Sequence, residues 1–542
     1  MHPLIRWIAL CMLFRAVPVL GEIVDSPDAP TTVEVRAFHF QGGEALPQDL
    51  LSTAVAPYVG VELGDAGLLA AARAVTTNLV AHGYWNSGAE LPDQTITNGV
   101  VTLRITQGRM DEIHVHGTEH LRPDWIERRI GVWTSTPLHM DELALGLQLL
   151  RENRNIQFVS AEFAPLRSNE MVVPGGGVLD VRVGEARPWR VGIQVDNQRP
   201  LNVGEFELLA LLADLNVSGH GDSLELTYGI LQQKPGGGVE FSGDGNIGVA
   251  YTIPVTPRDF RIGGFYDRKN YAVVQPPFNA LDIQSSYWGA GLRLSQPILM
   301  RAENRVNAGL IFERRHSQGT LLGAPFPFNP GSINGEVNVT ALRLTTDWRR
   351  DTTNQVIAVQ LVASVGLDAL DATLLPGLPD GQFFSLLGRV QYGLRLWELG
   401  GTDPGHSGQL ILRGGFQWTP DPLPAMEQLS MGGFDTVRGY PQNYAVRDTG
   451  IMASAELRTS LLEHRAAALS GGPFADFGVG WNPGASTPNP PTLSSVGIAF
   501  QALFWSQLTI RVDWGYRFNP YLFTSNDPQY HGVNFIVGWQ LP

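Results

Sequence analysis

The residues that most invite a chemical reading lie in one run, Met431-Gly432-Gly433-Phe434-Asp435-Thr436-Val437-Arg438-Gly439-Tyr440. A guanidinium stands beside a phenol ring, and both follow a Gly-Gly turn. Glycine gives a chain backbone freedom and lets it approach another backbone closely. A guanidinium and an aromatic side by side suit docking into a polar cavity, where a carboxylate can be gripped with two parallel hydrogen bonds. This is recognition chemistry. The residue sets that break bonds are missing: there is no Gly-x-Ser-x-Gly elbow, no His-Glu-x-x-His and no phosphate-cradling glycine loop. The 12 histidines do not cluster at ligand spacing, and His114 and His116 alternate along a strand, so no metal site is expected. The single cysteine, Cys11, rules out an intrachain disulfide or a thiolate metal site. The sequence therefore reads as a non-enzyme without cofactors.

A loop that docks inward needs a hollow to dock into. From residue 187 to 542 the chain alternates apolar and polar residues in about sixteen stretches, the signature of β-strands. In Leu508–Phe518 one face holds Leu508, Ile510, Val512, Trp514, Tyr516 and Phe518, and the other Thr509, Arg511, Asp513, Gly515 and Arg517. Val496–Phe504 and Val533–Leu541 divide the same way. A soluble sandwich also alternates, so alternation alone does not choose between sandwich and membrane barrel. Connection lengths do: long and short alternate along the chain, as in outer-membrane barrels. Trp505-Ser506 reads as the tightest turn. Arg413, Glu456, Arg458, Asp476, Arg511 and Asp513 then face the lumen, where water tolerates charges that lipid does not. With Ala475, Phe477, Val479 and Trp481 outward, Asp476 must point inward. The longest connection, roughly Thr419–Gly450, carries the Arg-Gly-Tyr run.

Composition agrees. The 542 residues carry 38 Lys+Arg against 52 Asp+Glu, a formal charge of -14, which argues against nucleic acid as partner. No small-molecule substrate is indicated. Residues 1–21 read as a secretory signal, with Arg6 before the apolar Trp7–Phe14, and 22–32 as a short linker. Two α/β modules come next, at 33–108 and 109–186, a tandem repeat at a period of about 75 residues. In the first, Val33–Phe40 reads as a strand, and Leu50–Tyr58 and Asp65–His82 as helices. Leu68, Leu69, Ala72, Val75, Leu79 and Val80 occupy one side of the second helix, and Gly83 stops it. Gln94–Thr97 reads as the end of a short strand, and Val100–Thr106 as another. In the second, Glu112–Val115, Ile156–Phe163 and Gly177–Val183 read as strands, and Trp125–Ile130 and Met140–Arg151 as helices. A three-stranded sheet leaves an edge that can take up an extended peptide.

The stretches Gly83-Tyr84, Leu91-Pro92-Asp93-Gln94, Gly99 and Gly108 resemble the first POTRA domain of TpsB transporters, the ShlB/FhaC/HecB haemolysin secretion/activation family. The second module resembles their second POTRA domain. Val437-Arg438-Gly439-Tyr440 is similar to the signature of the sixth extracellular loop in the POTRA–barrel superfamily, and Phe474-Ala475-Asp476 with Gly478 to its inner-wall motif on the thirteenth strand. Around the loop, Gln417, Glu427-Gln428 and Asp448-x-Gly450 through Glu456-Leu457-Arg458 resemble the family's flanking pattern, and early in the barrel Asp196-Asn197 and Asn216–Asp222 are similar too. The resemblance implies two POTRA domains before a transmembrane antiparallel β-barrel of about sixteen strands. It implies that Arg438 pairs with Asp476 inside the barrel, either to hold the loop for transport or as plain anchoring. It further implies an outer-membrane transporter with periplasmic POTRA domains, surrounded by lipid, secreting an unfolded TpsA-like exoprotein. The alternative is a BamA- or TamA-like factor that inserts other barrels. Two features depart from the family. The stretch from Gly21 to Val33 is too short for the plug helix and linker of many members. The chain also ends Gln540-Leu541-Pro542, where the family usually has a terminal aromatic.

Overall fold

The structure, a computed structural model, describes residues 32–204, 206–232, 241–273, 281–301, 303–398, 407–484, 486–519 and 527–541. The segment read as an export signal and nearly all of the linker after it lie outside these residues. The described chain divides after Gly108 into two compact units.

In the first unit, Ala37–Gln41, Val100–Thr106 and Gly88–Glu90 form a sheet with Val100–Thr106 in the centre, parallel to the first strand and antiparallel to the last. Helices Gln48–Val55 and Asp65–Ala81 cover one face. Val101, Leu103 and Ile105 alternate inward; Leu103 and Ile105 meet Leu51, Val75 and Leu79, and Val101 packs with Val35 and Leu68. Leu68, Ala71, Ala72, Val75 and Leu79 are the buried stripe of the longer helix, whereas Leu69 and Val80 are exposed. Each stands one residue off the stripe, and at about 100° per residue that is enough to turn a side chain outward. The expected strand at Gln94–Thr97 is also displaced, since the edge strand is Gly88–Glu90. Pro92 has no N–H for the ladder. Beyond it the Gln94 side-chain amide takes over, donating to the Thr102 carbonyl (2.8 Å) and accepting from its N–H (2.7 Å).

The second α/β module has strands Glu112–His116, Met171–Glu185 and Ile156–Ser168, with Met171–Glu185 central. Helices Pro123–Gly131 and Met140–Arg151 bury Trp125, Ile126, Ile130, Leu143 and Leu150 against Leu179, Val181 and Val183. This module and the strand-rich remainder of the chain form a single compact unit, and the contacts say why. The Arg122 N–H donates to the Gly219 carbonyl (3.0 Å), and Arg129 pairs with Asp259 at 2.5 Å. Glu152 is ion-paired to Arg305. Gly219 and Gly221 have φ of +85° and +70° in the Asn216–Asp222 turn, and a Cβ on Gly221 would sit 2.8 Å from the Trp125 ring. Asp222 ties that turn shut by accepting from the Ser218 N–H and hydroxyl and from the Tyr251 hydroxyl.

From Trp189 onward sixteen strands pair with their neighbours in chain order. The last, Val533–Leu541, returns antiparallel to the first, Trp189–Asp196, and closes a barrel. A two-residue strand, Ala324–Pro325, adds to the connection after the seventh. No helix among the described residues is long and apolar enough to cross a membrane. The strands carry the apolar surface instead: Val512, Trp514, Tyr516, Val496, Ile498 and Phe500 are all exposed on the outside. Trp418, Trp481, Tyr516 and Phe518 ring the end with the long connections, and Trp189, Trp505 and Trp539 the end with the short ones. Two aromatic girdles around an apolar band mark a lipid-facing barrel. The tightest connection is Arg465–Ala466, not the Trp505 turn, which also takes in Gln507. Both Trp505 and Ser506 adopt positive φ, which non-glycine residues seldom do.

Candidate functional site: the loop folded into the barrel

The connection between the eleventh barrel strand (Ser407–Trp418) and the twelfth (Thr449–His464) spans 419–448. It does not reach outward. Leu429–Met431 pairs antiparallel with Ala445–Arg447, making a short hairpin with the glycine-rich run at its tip. Its base is closed by Gln417, whose amide donates to the carbonyls of Glu427 and Asp448, both at 3.0 Å. Burial pushes the Asp448 carboxyl above its ordinary value, although Gln428 and the Leu423 N–H donate to it. At the tip, Gly432, Gly433 and Gly439 have φ of +101°, +107° and +89°. A Cβ on Gly433 would stand 1.9 Å from the Gln442 side chain. Only glycine suits such positions.

The tip presses on the inner wall. Val437, Arg438 and Tyr440 are at most 1 % exposed. Arg438 meets the thirteenth strand (Ala467–Trp481): Nε donates to Asp476 Oδ2 at 2.8 Å and Nη2 to Oδ1 at 2.9 Å. The Arg438 N–H adds a third bond to the same carboxylate at 3.0 Å. The guanidinium lies over the Phe474 ring, 3.5 Å from its centre. Val437 packs where Gly478 leaves room, since a Cβ there would come within 3.0 Å of Val437 Cγ2. The inner-wall residues Phe474, Asp476 and Gly478 therefore all meet the loop, on the face opposite the exposed Phe477 and Trp481. Gly439 lies against Gly515 of the fifteenth strand (Leu508–Arg517), and a Cβ on either would meet backbone of the other at 2.8 Å.

Sequence reasoning pairs Arg438 with one carboxylate, and the structure surrounds it with three. Nη1 donates to Glu456 at 2.8 Å and lies 3.7 Å from Asp513. Alternation puts both on the lumen side, but it gives a strand's face and not which faces converge. Glu456 also binds Arg458, and Asp513 binds Arg511. The guanidinium of Arg511 in turn covers the loop's Phe434, at 4.2 Å. Three further groups escape a reading of the sequence. The Tyr440 hydroxyl has the Ser494 carbonyl (3.0 Å) and the Asn519 side-chain oxygen (2.9 Å) within reach of its one proton, and accepts from the N–H groups of both residues. Arg343 clamps Glu427 with bonds of 2.8 and 2.9 Å and also holds Glu313. Inward parity on the seventh and eighth strands could have flagged Glu313 and Arg343. The third is a relay: the Gln442 N–H donates to Gln529 (2.9 Å), whose amide donates to the carbonyls of Asn197 and Arg199. Among the described residues no group of His, Cys, Asp and Glu is arranged to hold a metal.

Several comparisons bear on this arrangement. The haemolysin secretion/activation protein family ShlB/FhaC/HecB matches residues 175–501, and the ShlB-type POTRA domain matches residues 33–108. The outer membrane transporter CdiB-2 of Burkholderia pseudomallei is 25% identical over 177 residues, 31% of this chain and 28% of that protein. The heme/hemopexin transporter protein HuxB of Haemophilus influenzae is 25% identical over 178 residues, 33% of this chain and 31% of that protein. The matches thus span about a third of these relatives' length. The solved structure of CdiB from Escherichia coli superposes with a TM-score of 0.70 at 19% identity, covering 97% of this chain and 94% of that one. It shares the fold of POTRA and closed barrel. With the family matching more than half its length, including the whole inward-folded loop and the thirteenth strand that it meets, this chain belongs to the haemolysin secretion/activation ShlB/FhaC/HecB family.

Proposed function

We propose that this protein secretes an unfolded partner polypeptide across the outer membrane through its barrel, with the N-terminal α/β modules, both acting as POTRA domains, receiving the cargo in the periplasm. The observation that carries the reading is the Arg438 tip buried in the lumen on three carboxylates. In this reading Val437, Arg438, Gly439 and Tyr440 lock the loop against Phe474, Asp476 and Gly478 in the position that transport needs, so breaking the lock stops secretion. The chain acts without catalysis or cofactor. The alternative, a factor that inserts other barrels, shares the fold, but the family and its transporter relatives favour secretion.

The test is secretion by Arg438→Asp, Asp476→Arg and the double variant, with barrel folding followed by heat-modifiable gel migration. Each single change should abolish secretion while folded barrel remains. The double should recover only part, because Glu456 and Asp513 still face the new aspartate. Normal secretion by both singles would end the lock model. A fall in many outer-membrane proteins on depletion would transfer the chain to the assembly class.

A further inference from the structure

Inside the barrel, beside the loop, lies a cavity of about 1140 Å³. Its wall is lopsided in charge. Seven arginines line it, against the carboxylates of Asp347, Glu427 and Asp435, although the whole chain carries -14. Some of that charge is already met: Arg315 and Arg343 are neutralised by Glu313 and Glu427. Others face the hollow. Arg293 on the sixth strand and Arg389 on the tenth are exposed to it, and among the described residues neither has an ion-pair partner. Arg413 on the eleventh is only 3.7 Å from Glu456, a carboxylate it shares with Arg438 and Arg458. Arg305 and Arg349 stand directly opposite each other in the register of the seventh and eighth strands, each with one carboxylate, Glu152 and Asp351. Like charges so placed repel. Arg305 marks the rim next to the second module, through Glu152. The basic track therefore runs from that rim to mid-barrel along one side.

We infer that this arginine track binds acidic, carboxylate-rich stretches of a polypeptide passing through the lumen. Guanidinium groups grip carboxylates in a planar, two-bond geometry, and a row of them can exchange partners one after another as a chain moves. In a narrow, partly desolvated passage their attraction exceeds that at an open surface. The inference rests on the transport reading and specifies the cargo chemistry that the lumen favours.

Full-length protein in detergent, titrated with fluorescent oligoglutamate and with oligolysine of equal length, provides the test. Oligoglutamate should bind, with affinity falling as salt rises, and oligolysine should not. Arg293→Glu with Arg389→Glu should weaken oligoglutamate at least tenfold, whereas Arg128→Glu, on the outer surface of the second module, should leave it unchanged. Equal binding of the two peptides, or an unaltered double variant, overturns the inference. Secretion by the wild type, measured in parallel, separates the two claims. Export without oligoglutamate binding removes only the track, and binding without export removes the transport reading.

Discussion

Arg438 engages Asp476 through both its Nε and Nη2 and through its own backbone N–H. Lysine would keep the charge and lose the fork. Arg438→Lys should therefore fold but secrete about tenfold less, equivalent to ~1.4 kcal/mol lost from the locked state. Normal export by this variant would show that charge alone suffices. Alanine is harsher. It strands Asp476 as a buried carboxylate without its ion pair, while Glu456 keeps Arg458, at a cost of about 3–5 kcal/mol, which should appear as a lowered denaturation midpoint. At this scale the sequence is informative where a motif stands in one run, as with Val437–Tyr440. It is mute where partners arrive from distant strands. Gln529 touches Gln442 across 87 positions of chain and Asn197 across 332, and nothing local in Gln529 announces it.

Among the elements, the meeting of the last barrel strand with the first is reinforced by one side chain. Asn197 donates to the Val533 carbonyl (2.9 Å) and accepts from the Phe535 N–H (2.8 Å), so its amide extends the ladder past Asp196. Asn197→Leu leaves both backbone groups unsatisfied, and each such loss costs about 1–3 kcal/mol. The variant should show faster amide exchange in Val533–Leu541 than in Ala467–Trp481, and equal protection in both would refute this. Element types are readable from period and punctuation, and Met140–Arg151 has the very bounds its spacing predicts. The failures have side-chain causes. The short strand expected at Gln94–Thr97 is replaced by Gln94 bonding to Thr102, a substitution that no periodicity encodes.

For the molecule as a whole, the decisive property is which side of each strand meets lipid. Val512→Arg places a charge on the outer band, where it costs about 2–4 kcal/mol near mid-membrane. Thr509→Arg, on the opposite side of the same strand, should be tolerated. Refolding of the two variants into lipid vesicles checks this, and equal yields would argue that the outer face is not in lipid. Closure, strand number and lumen polarity are all visible in alternation and connection length. The joining of the second module to the barrel is not, because Arg129–Asp259 and Trp125 over Gly221 link segments that look like independent surfaces.

The pairing of the first strand with the last runs only from Ile536↔Asp196 to Leu541↔Val191, whereas the seventh and eighth strands match from Asn304↔Arg350 to Gln318↔Glu336. A cylinder made of staves with unequal numbers of rungs does not loosen evenly. Thermal breathing will concentrate at this shortest join, and the Gln442–Gln529–Asn197 relay ends beside it. Any pull on the inward hairpin is thus delivered to the place on the circumference that yields first.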